Sequence, residues 1–320
     1  MDTSWRNTTV VTEFHLLGFG YHPELRILLF LAFLLIYSAA MLGNLLIIVV
    51  VLSDKRLHTP MYFFLVNLSC VEVWYVSNTL PKMLAISLTQ ENKISFNSCL
   101  TQFFFFGFLI GAECCLLSVM SYDRYLAICR PLHYKTLMNN KMCLFLAFGS
   151  WVSGLLGSVL ITVLFVKSAF CGPNEIDHFF CDFIPLLNLL CSDPYIIALL
   201  TFLLSFSFTL PPFLLTLSSY VCIILTILRI PSTTGRQKAF STCSSHLIVV
   251  TIFYGSIIIV YQLPHSSTLD DLNKVFSLCY TILTPMVNPL IYSLRNREVK
   301  ESLKKGLSQQ QFPMKKPCFT

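Results

Sequence analysis

Charged residues are scarce in this sequence: Asp, Glu, Lys and Arg make up 12% of its 320 residues, where a soluble domain usually carries about 25%. Hydrophobic residues make up 55% of the chain, and its 28 phenylalanines outnumber its 16 acidic residues. This composition excludes an ordinary soluble domain and is typical of a protein embedded in a membrane.

Long apolar segments account for most of the chain. A helix needs about 20 mainly apolar residues to cross a bilayer, and we find seven such segments. They cover approximately residues 27–52, 61–80, 99–128, 142–166, 196–228, 241–261 and 275–294. We therefore predict an all-α membrane protein, a seven-transmembrane helix bundle, whose connections are too short to form a separate soluble domain.

The chain is predicted to have three parts. These are an extracellular, glycosylated N-terminal tail at 1–26, the seven-transmembrane domain at 27–294, and a cytoplasmic juxtamembrane helix and tail at 295–320. In the last part Val299, Leu303 and Leu307 recur every four residues, with lysines off that stripe. This pattern predicts a short amphipathic helix on the inner membrane surface.

The basic residues are unevenly distributed between the two sides of the membrane. With the N-terminus outside, 16 Lys and Arg residues fall on the inside and 6 on the outside. The positive-inside rule therefore predicts an extracellular N-terminus, in a multi-pass protein of the plasma membrane. The net charge of +6 reflects this topology and contact with anionic lipid, and nothing indicates a nucleic-acid partner.

An apolar signal-peptide core is missing from residues 1–20, so the first span is expected to act as its own insertion signal. Asn7 begins a glycosylation sequon in this polar tail, and we predict that it is glycosylated. A second sequon, at Asn67, lies inside the second span, and we predict that it is not used.

Four of the 13 cysteines are predicted to lie outside or at an outer helix end, where disulfides form. They are Cys99, Cys171, Cys181 and Cys191. Four cysteines allow three pairings, and their positions alone do not choose among them. The other cysteines are expected to be reduced thiols, of which Cys129 and Cys318 are near enough to the membrane for acylation.

Two carboxylates fall within the apolar spans, Glu72 and Glu113. At about 1.5 Å per residue they lie roughly 18 and 16 Å from the inner ends of neighbouring antiparallel helices. Asn44 and Asn288 lie somewhat nearer the inner face, so one intramembrane polar cluster is plausible. The cluster would hold either a hydrated sodium-type ion or a protonated, hydrogen-bonded pair. The alternative is two separate, neutral carboxyl groups.

The inner end of the third span reads MSYDRYLAICRPLHY, residues 120–134. Further motifs follow at the expected helix ends. They are Gly43-Asn44, LHTPMYFFL at 57–65, Ser219-Tyr220, KAFSTCSSHL at 238–247 and PMVNPLIYSLRN at 285–296. Together they resemble rhodopsin-like (class A) G-protein-coupled receptors, and specifically the odorant (olfactory) receptor branch.

The resemblance implies two disulfides, Cys99–Cys181 and Cys171–Cys191. It also implies an odorant pocket in the outer half of the bundle and a stimulatory heterotrimeric G protein at the inner face, which would raise cyclic AMP. Such receptors are not enzymes and need no cofactor, apart from a possible sodium ion at Glu72 and Glu113. In this family Glu72 stands where Asp is usual.

The resemblance also implies a switch at the inner face. Its residues would be Asp123, Arg124, Tyr125, Tyr220, Lys238, His246, Asn288, Pro289 and Tyr292. Arg124 would pair with Asp123 at rest and reach toward Tyr220 and the G protein when active. Lys238 stands where many rhodopsin-like receptors place an acid that locks this arginine, so that lock is absent here.

By the same resemblance, twelve residues surround the ligand. They are Phe106, Gly107, Ile110, Gly111, Leu204, Ser205, Phe208, Tyr254, Ile257, Ile258, Tyr261 and Thr281. This set contains no charge, which favours a small, neutral, lipophilic ligand with one hydrogen-bonding group and Tyr261 as its polar anchor. For any one of these residues, plain helix packing is nearly as good an interpretation.

Two other function classes are disfavoured. A transporter or channel could use Glu72 and Glu113 as an ion relay, but paired broken helices and internal repeats are missing. An intramembrane enzyme needs a nucleophile–base pair or a metal-ligand spacing such as His-Glu-x-x-His, and neither occurs. His178 and Cys181 could suggest a metal, but the resemblance places Cys181 in a disulfide.

Overall fold

Each apolar segment forms a helix, because in hydrocarbon the backbone polar groups must hydrogen-bond within the segment. The computed structural model describes residues 11–18, 25–89, 91–170, 174–191, 194–261, 270–295, 299–302 and 304. Asn7, Cys171, Leu303, Leu307 and Cys318 lie outside these residues, so the predictions made for them stay predictions.

The helices follow the predicted order along the chain. They are α1 (Arg26–Ser53), α2 (Pro60–Thr89), α3 (Phe96–Cys129), α4 (Tyr134–Leu137), α5 (Asn140–Val166), α6 (Phe183–Leu187), α7 (Pro194–Leu228), α8 (Thr233–Tyr261), α9 (Asp270–Leu278) and α10 (Thr284–Arg295). The seven spans are α1, α2, α3, α5, α7, α8 and, for the seventh, α9 with α10. Among the described residues six spans are long and apolar enough to cross a membrane, and α2 packs between α1 and α3.

The second span is longer than predicted. The sequence predicts a second span over 61–80, which stops just before Pro81, but α2 continues to Thr89 with Pro81 inside. A proline removes one backbone hydrogen bond, and packed neighbours allow a membrane helix to tolerate that loss. Asn67 lies inside this helix and accepts a hydrogen bond from Trp151 Nε1 (3.1 Å), a position unsuited to glycosylation.

A small sheet closes the end of the bundle that carries the N-terminal segment, which we call the outer end. Strand β1 (Glu13–Leu16) pairs antiparallel with β2 (Lys93–Ser95) and parallel with β3 (Glu175–Ile176). Phe14 and Leu16 of β1 are buried beneath it. The sequence analysis treated this stretch as tail and missed the strand.

The long loop before α7 is tied down at several points. The Cys99–Cys181 disulfide implied by the resemblance is present and joins the loop to α3. Cys191 is also disulfide-bonded. Lys274 of α9 forms an ion pair with Asp177 of the loop (2.7 Å), so the loop is held to the third and seventh spans.

The seventh span is irregular around its prolines. A π-helical turn, Cys279–Leu283, precedes Pro285. Pro289 cannot donate to the carbonyl of Pro285, and Asn44 Nδ2 of α1 donates to it instead (3.1 Å). A Cβ on Gly43 would come within 2.7 Å of the Pro289 ring, so glycine there allows the two spans this approach.

Candidate functional site

A cavity of about 140 Å³ lies in the outer half of the bundle, between α3, α5, α7, α8 and the long loop. Its volume is close to that of the engineered protein cavity of about 150 Å³ that binds benzene. Eight of the twelve predicted pocket residues line it. They are Phe106, Gly107, Ile110, Gly111, Ser205, Phe208, Ile257 and Tyr261.

The other four predicted pocket residues do not line the cavity: Leu204, Tyr254, Ile258 and Thr281. The Tyr254 hydroxyl donates to the carbonyl of Cys114 (2.8 Å) and so ties α8 to α3. The Thr281 hydroxyl bonds within its own helix. The resemblance assigned these residues to the pocket, but it does not determine which face of its helix each one occupies.

The fourth span also lines the cavity, and none of its residues belongs to the predicted pocket. Its lining residues are Ser153, Gly154, Gly157, Ser158 and Ile161. A Cβ on Gly154 would meet the backbone of Phe108 at 2.4 Å, so the third and fourth spans approach closely here. Small residues three and four apart in both spans were the available signal.

One finding corrects the prediction of a pocket without charge: Asp182, from the loop, lines the cavity and is only 2% exposed. The Tyr261 hydroxyl and the Phe183 N–H each donate to Asp182 Oδ1 (both 2.7 Å). Burial raises the pKa of Asp182 to about 6. Tyr280 shares the network, with its hydroxyl 2.8 Å from that of Tyr261.

His178 lies in the same loop and behaves in the opposite way. Burial, with a smaller effect from the charge of Lys274, lowers the pKa of His178 to about 3. Its Nδ1 accepts from the Phe180 N–H (3.4 Å). A neutral His178 is therefore part of the folded loop. Among the described residues, no group of three or more His, Cys, Asp or Glu that could hold a metal ion is found.

The intramembrane polar cluster is assembled as its depth predicted. Glu72, Glu113, Asn44 and Asn288 are all fully buried. Asn288 Nδ2 donates to Glu72 Oε1, and Glu113 is close enough for the two carboxylates to affect each other's charge. The structure therefore brings the two carboxyl groups into one cluster.

Most oxygen atoms of this cluster have no hydrogen-bond donor among the residues that the structure describes. They are Glu72 Oε2, both Glu113 carboxylate oxygens, Asn44 Oδ1 and Asn288 Oδ1. Two protons on the carboxyl groups would supply only two donors for these five acceptors. A hard cation is coordinated by oxygens, so the donor set fits a sodium-type ion with its water better than protons alone.

The Tyr75 hydroxyl lies between the outer network and this cluster. It is buried without a hydrogen-bond partner among the described residues, and the charges of both Glu113 and Asp182 act on it. Tyr75 also packs against Phe106 of the cavity, with ring centroids 5.5 Å apart. The cavity and the cluster are therefore in contact through α2.

At the inner end, the Tyr220 hydroxyl and His246 Nδ1 are 2.6 Å apart and join the fifth and sixth spans. Arg124 is near enough for its charge to act on both residues, while its Nε has no partner among the described residues. The expected Arg124–Asp123 pairing is not among the ion pairs of the described chain. Asp123 instead accepts from the Tyr134 hydroxyl (2.8 Å).

The remaining predicted switch residues are less fully placed. Tyr125 packs against the cluster around Tyr220, and Pro289 contacts the first span as described above. The side chains of Lys238 and Tyr292 lie outside the described part of the chain.

Comparison with known proteins adds independent evidence. The olfactory receptor family model matches residues 33–310. Human olfactory receptor 10A7 is 50% identical over 303 residues, covering 95% of this chain and 96% of the relative. Human olfactory receptor 6B1 is 51% identical over 300 residues (93% and 96%), and mouse olfactory receptor 5AR1 is 50% identical over 299 residues (93% and 96%).

Proposed function

The chain belongs to the olfactory receptor family of multi-pass, non-enzymatic membrane receptors, and we propose that it detects a small, neutral, lipophilic odorant. The odorant binds in the 140 Å³ cavity, and the receptor activates a stimulatory heterotrimeric G protein that raises cyclic AMP. The receptor lies in the plasma membrane with its N-terminus outside. The observation that carries the proposal is this cavity, because a largely apolar cavity with a few polar groups is typical of a small-ligand site.

The lining supports the ligand class. Phe106, Ile110, Phe208 and Ile257 supply apolar surface, and Tyr261 adds a hydroxyl that bonds to Asp182. A molecule that fits must be compact, since the space suits a single ring or a short chain. Leu204, Tyr254, Ile258 and Thr281 act around this pocket without lining it.

The inner end supports coupling to a G protein. The Tyr220–His246 bond would hold the fifth and sixth spans together at rest, in place of the acid lock that Lys238 rules out. Activation would separate these spans and free Tyr220 to meet Arg124. Asp123, Tyr125, Asn288, Pro289 and Tyr292 complete this switch.

The polar cluster supports control by an ion. A sodium ion bound by Glu72 and Glu113, with Asn44 and Asn288, would stabilise the resting bundle, because five oxygens of the cluster lack donors within the described part of the chain. Loss of the ion on activation would couple the cavity to the inner switch. Asn288 belongs to both sites and is the shared residue.

The test is a screen of small odorants on cells that express the receptor, with cyclic AMP as the readout. We expect at least one compound to raise cyclic AMP in the wild type and not in Arg124→Ala at equal surface expression. Arg130→Ala, at an exposed neighbouring position, is the matched control and should respond as the wild type does. A ligand-independent conductance, or a full response from Arg124→Ala, would contradict the proposal.

A further inference from the structure

The roof of the cavity presents a group that can only accept hydrogen bonds. The Asp182 carboxylate lines the cavity and receives hydrogen bonds from Tyr261 and Phe183. It has no cationic partner: the ion pairs of the described residues involve Asp54, Glu13 and Asp177 instead. A ligand group placed here must therefore bring a proton to donate.

A second polar group in the same cavity is unused. Thr201 of α7 lines the cavity, is 1% exposed, and its Oγ1 has no hydrogen-bond partner among the described residues. By contrast, the Ser158 hydroxyl, which also lines the cavity, donates to the carbonyl of Phe104 (2.6 Å). An unpartnered buried hydroxyl costs free energy, so Thr201 is a candidate to bind a ligand atom.

A hydroxyl group matches these two side chains at once. It can donate its proton to Asp182 and accept one from Thr201. An aldehyde or ester can accept but cannot donate to Asp182, and a carboxylate would be repelled by Asp182. A protonated amine could donate to both side chains, but it would have to leave water for a cavity with mainly apolar walls, which is costly for a charged group. The two side chains thus distinguish ligands of one carbon skeleton by their head group.

We propose that the preferred ligands are small alcohols or phenols, whose hydroxyl binds between Asp182 and Thr201. This inference rests on the proposed odorant-receptor function and names the chemistry of the same pocket. A buried group left without its partner discriminates strongly against the wrong ligand, so selectivity comes from these two side chains and the apolar walls supply affinity.

The test uses matched head groups on one skeleton: benzyl alcohol, benzaldehyde, benzoic acid and benzylamine, with the six-carbon straight-chain series as a second set. Cyclic AMP dose responses are compared in the wild type, Asp182→Asn and Thr201→Val. In the wild type the alcohol should be at least about tenfold more potent than the aldehyde. In Asp182→Asn the two should come within about threefold, because an amide can donate to a carbonyl.

Thr201→Val should weaken the alcohol about tenfold and leave the aldehyde unchanged. Thr162→Val is the matched control, since Thr162 Oγ1 is also unpartnered but lies outside the cavity lining; it should keep the wild-type ranking. If Asp182→Asn fails to reach the cell surface, the relative potency of alcohol and aldehyde in Thr201→Val still tests the inference.

Equal potency of the alcohol and the aldehyde in the wild type would overturn this inference. An amine more potent than the alcohol would also overturn it. Neither result would contradict the proposed function. Silence of every alcohol would also overturn the inference. The proposed function itself is tested separately: it would fail on a ligand-independent conductance or on a full response from Arg124→Ala.

Discussion

The two buried acidic sites of this receptor differ in how their carboxylates obtain hydrogen-bond partners. At the outer end, Asp182 Oδ1 is satisfied by donors of the protein, the Tyr261 hydroxyl and the Phe183 N–H. In the centre of the bundle, Glu72 receives one donor from Asn288, and Glu113 has none among the described residues. A carboxylate that already has hydrogen-bond donors from the protein can take part in ligand recognition. A carboxylate without such donors needs an ion or water as its partner.

The difference explains why the two sites have different roles in the proposed receptor. A ligand hydroxyl can join Tyr261 as a donor to Asp182, and Asp182 keeps its protein donors when the ligand leaves. Removal of a cation from Glu72 and Glu113 leaves two like charges in a low dielectric, which is costly. The central cluster is therefore suited to a two-state switch, and the outer network to recognition.

The largest expected effect is at the centre. With sodium bound as proposed, Glu72→Gln should abolish the response of the receptor to sodium and change agonist potency by about tenfold, since the variant removes one of the two charges that would hold the ion. Glu113→Gln should do the same, and the exposed Glu91→Gln is the control. Cyclic AMP dose responses in sodium and in choline buffer provide the measurement. A normal sodium response in both cluster variants would show that the two sites do not differ as described.

Next in size is the loss of the Tyr261 hydroxyl. Tyr261→Phe removes the donor to Asp182 and should raise the agonist concentration for half-maximal response by about three- to tenfold, the effect of one hydrogen bond. Tyr122→Phe, away from the cavity, serves as the control in the same assay. An unchanged dose response would exclude Tyr261 as a polar anchor.

A smaller effect is expected from pH on the purified receptor. The pKa of Asp182 is raised to about 6, so its contribution to stability is present at pH 4 and lost as pH rises through 6. The pKa of His178 is lowered to about 3, so its contribution is present above pH 6.5 and lost as pH falls.

Thermal unfolding between pH 4 and 7 separates the two groups. Asp182→Asn should show a melting temperature that falls more steeply on acidification than in the wild type, because only the His178 contribution remains. His178→Gln should show the reverse slope. Parallel curves for both variants and the wild type would contradict the burial of these two groups.

The smallest effect is expected at an exposed carboxylate. Glu13 pairs with Lys93 (2.9 Å) at the surface, and Lys93 lowers the pKa of Glu13. Water and salt screen such pairs, so Glu13→Gln should leave agonist potency unchanged and shift the melting temperature only slightly, at low salt. If Glu13→Gln changed agonist potency as much as Tyr261→Phe does, an exposed carboxylate would matter as much as the buried ones, which would contradict this account.

The sequence predicted the central site better than the outer one. Glu72 and Glu113 could be matched because helix geometry converts residue number into depth. Asp182 could not be assigned to the cavity, since its place depends on how a long loop folds back under the Cys99–Cys181 disulfide. Strand β1 was missed for a similar reason: a short strand is defined by its partners β2 and β3, which are distant in sequence.

The direct test of the account is whether the two acidic sites are coupled. Binding energies of a ligand and an ion that favour opposite states are linked reciprocally. Replacement of sodium by choline should therefore raise agonist potency severalfold in the wild type and leave it unchanged in Glu72→Gln. Equal wild-type potency in the two buffers would contradict the claim that the outer cavity acts through the central cluster.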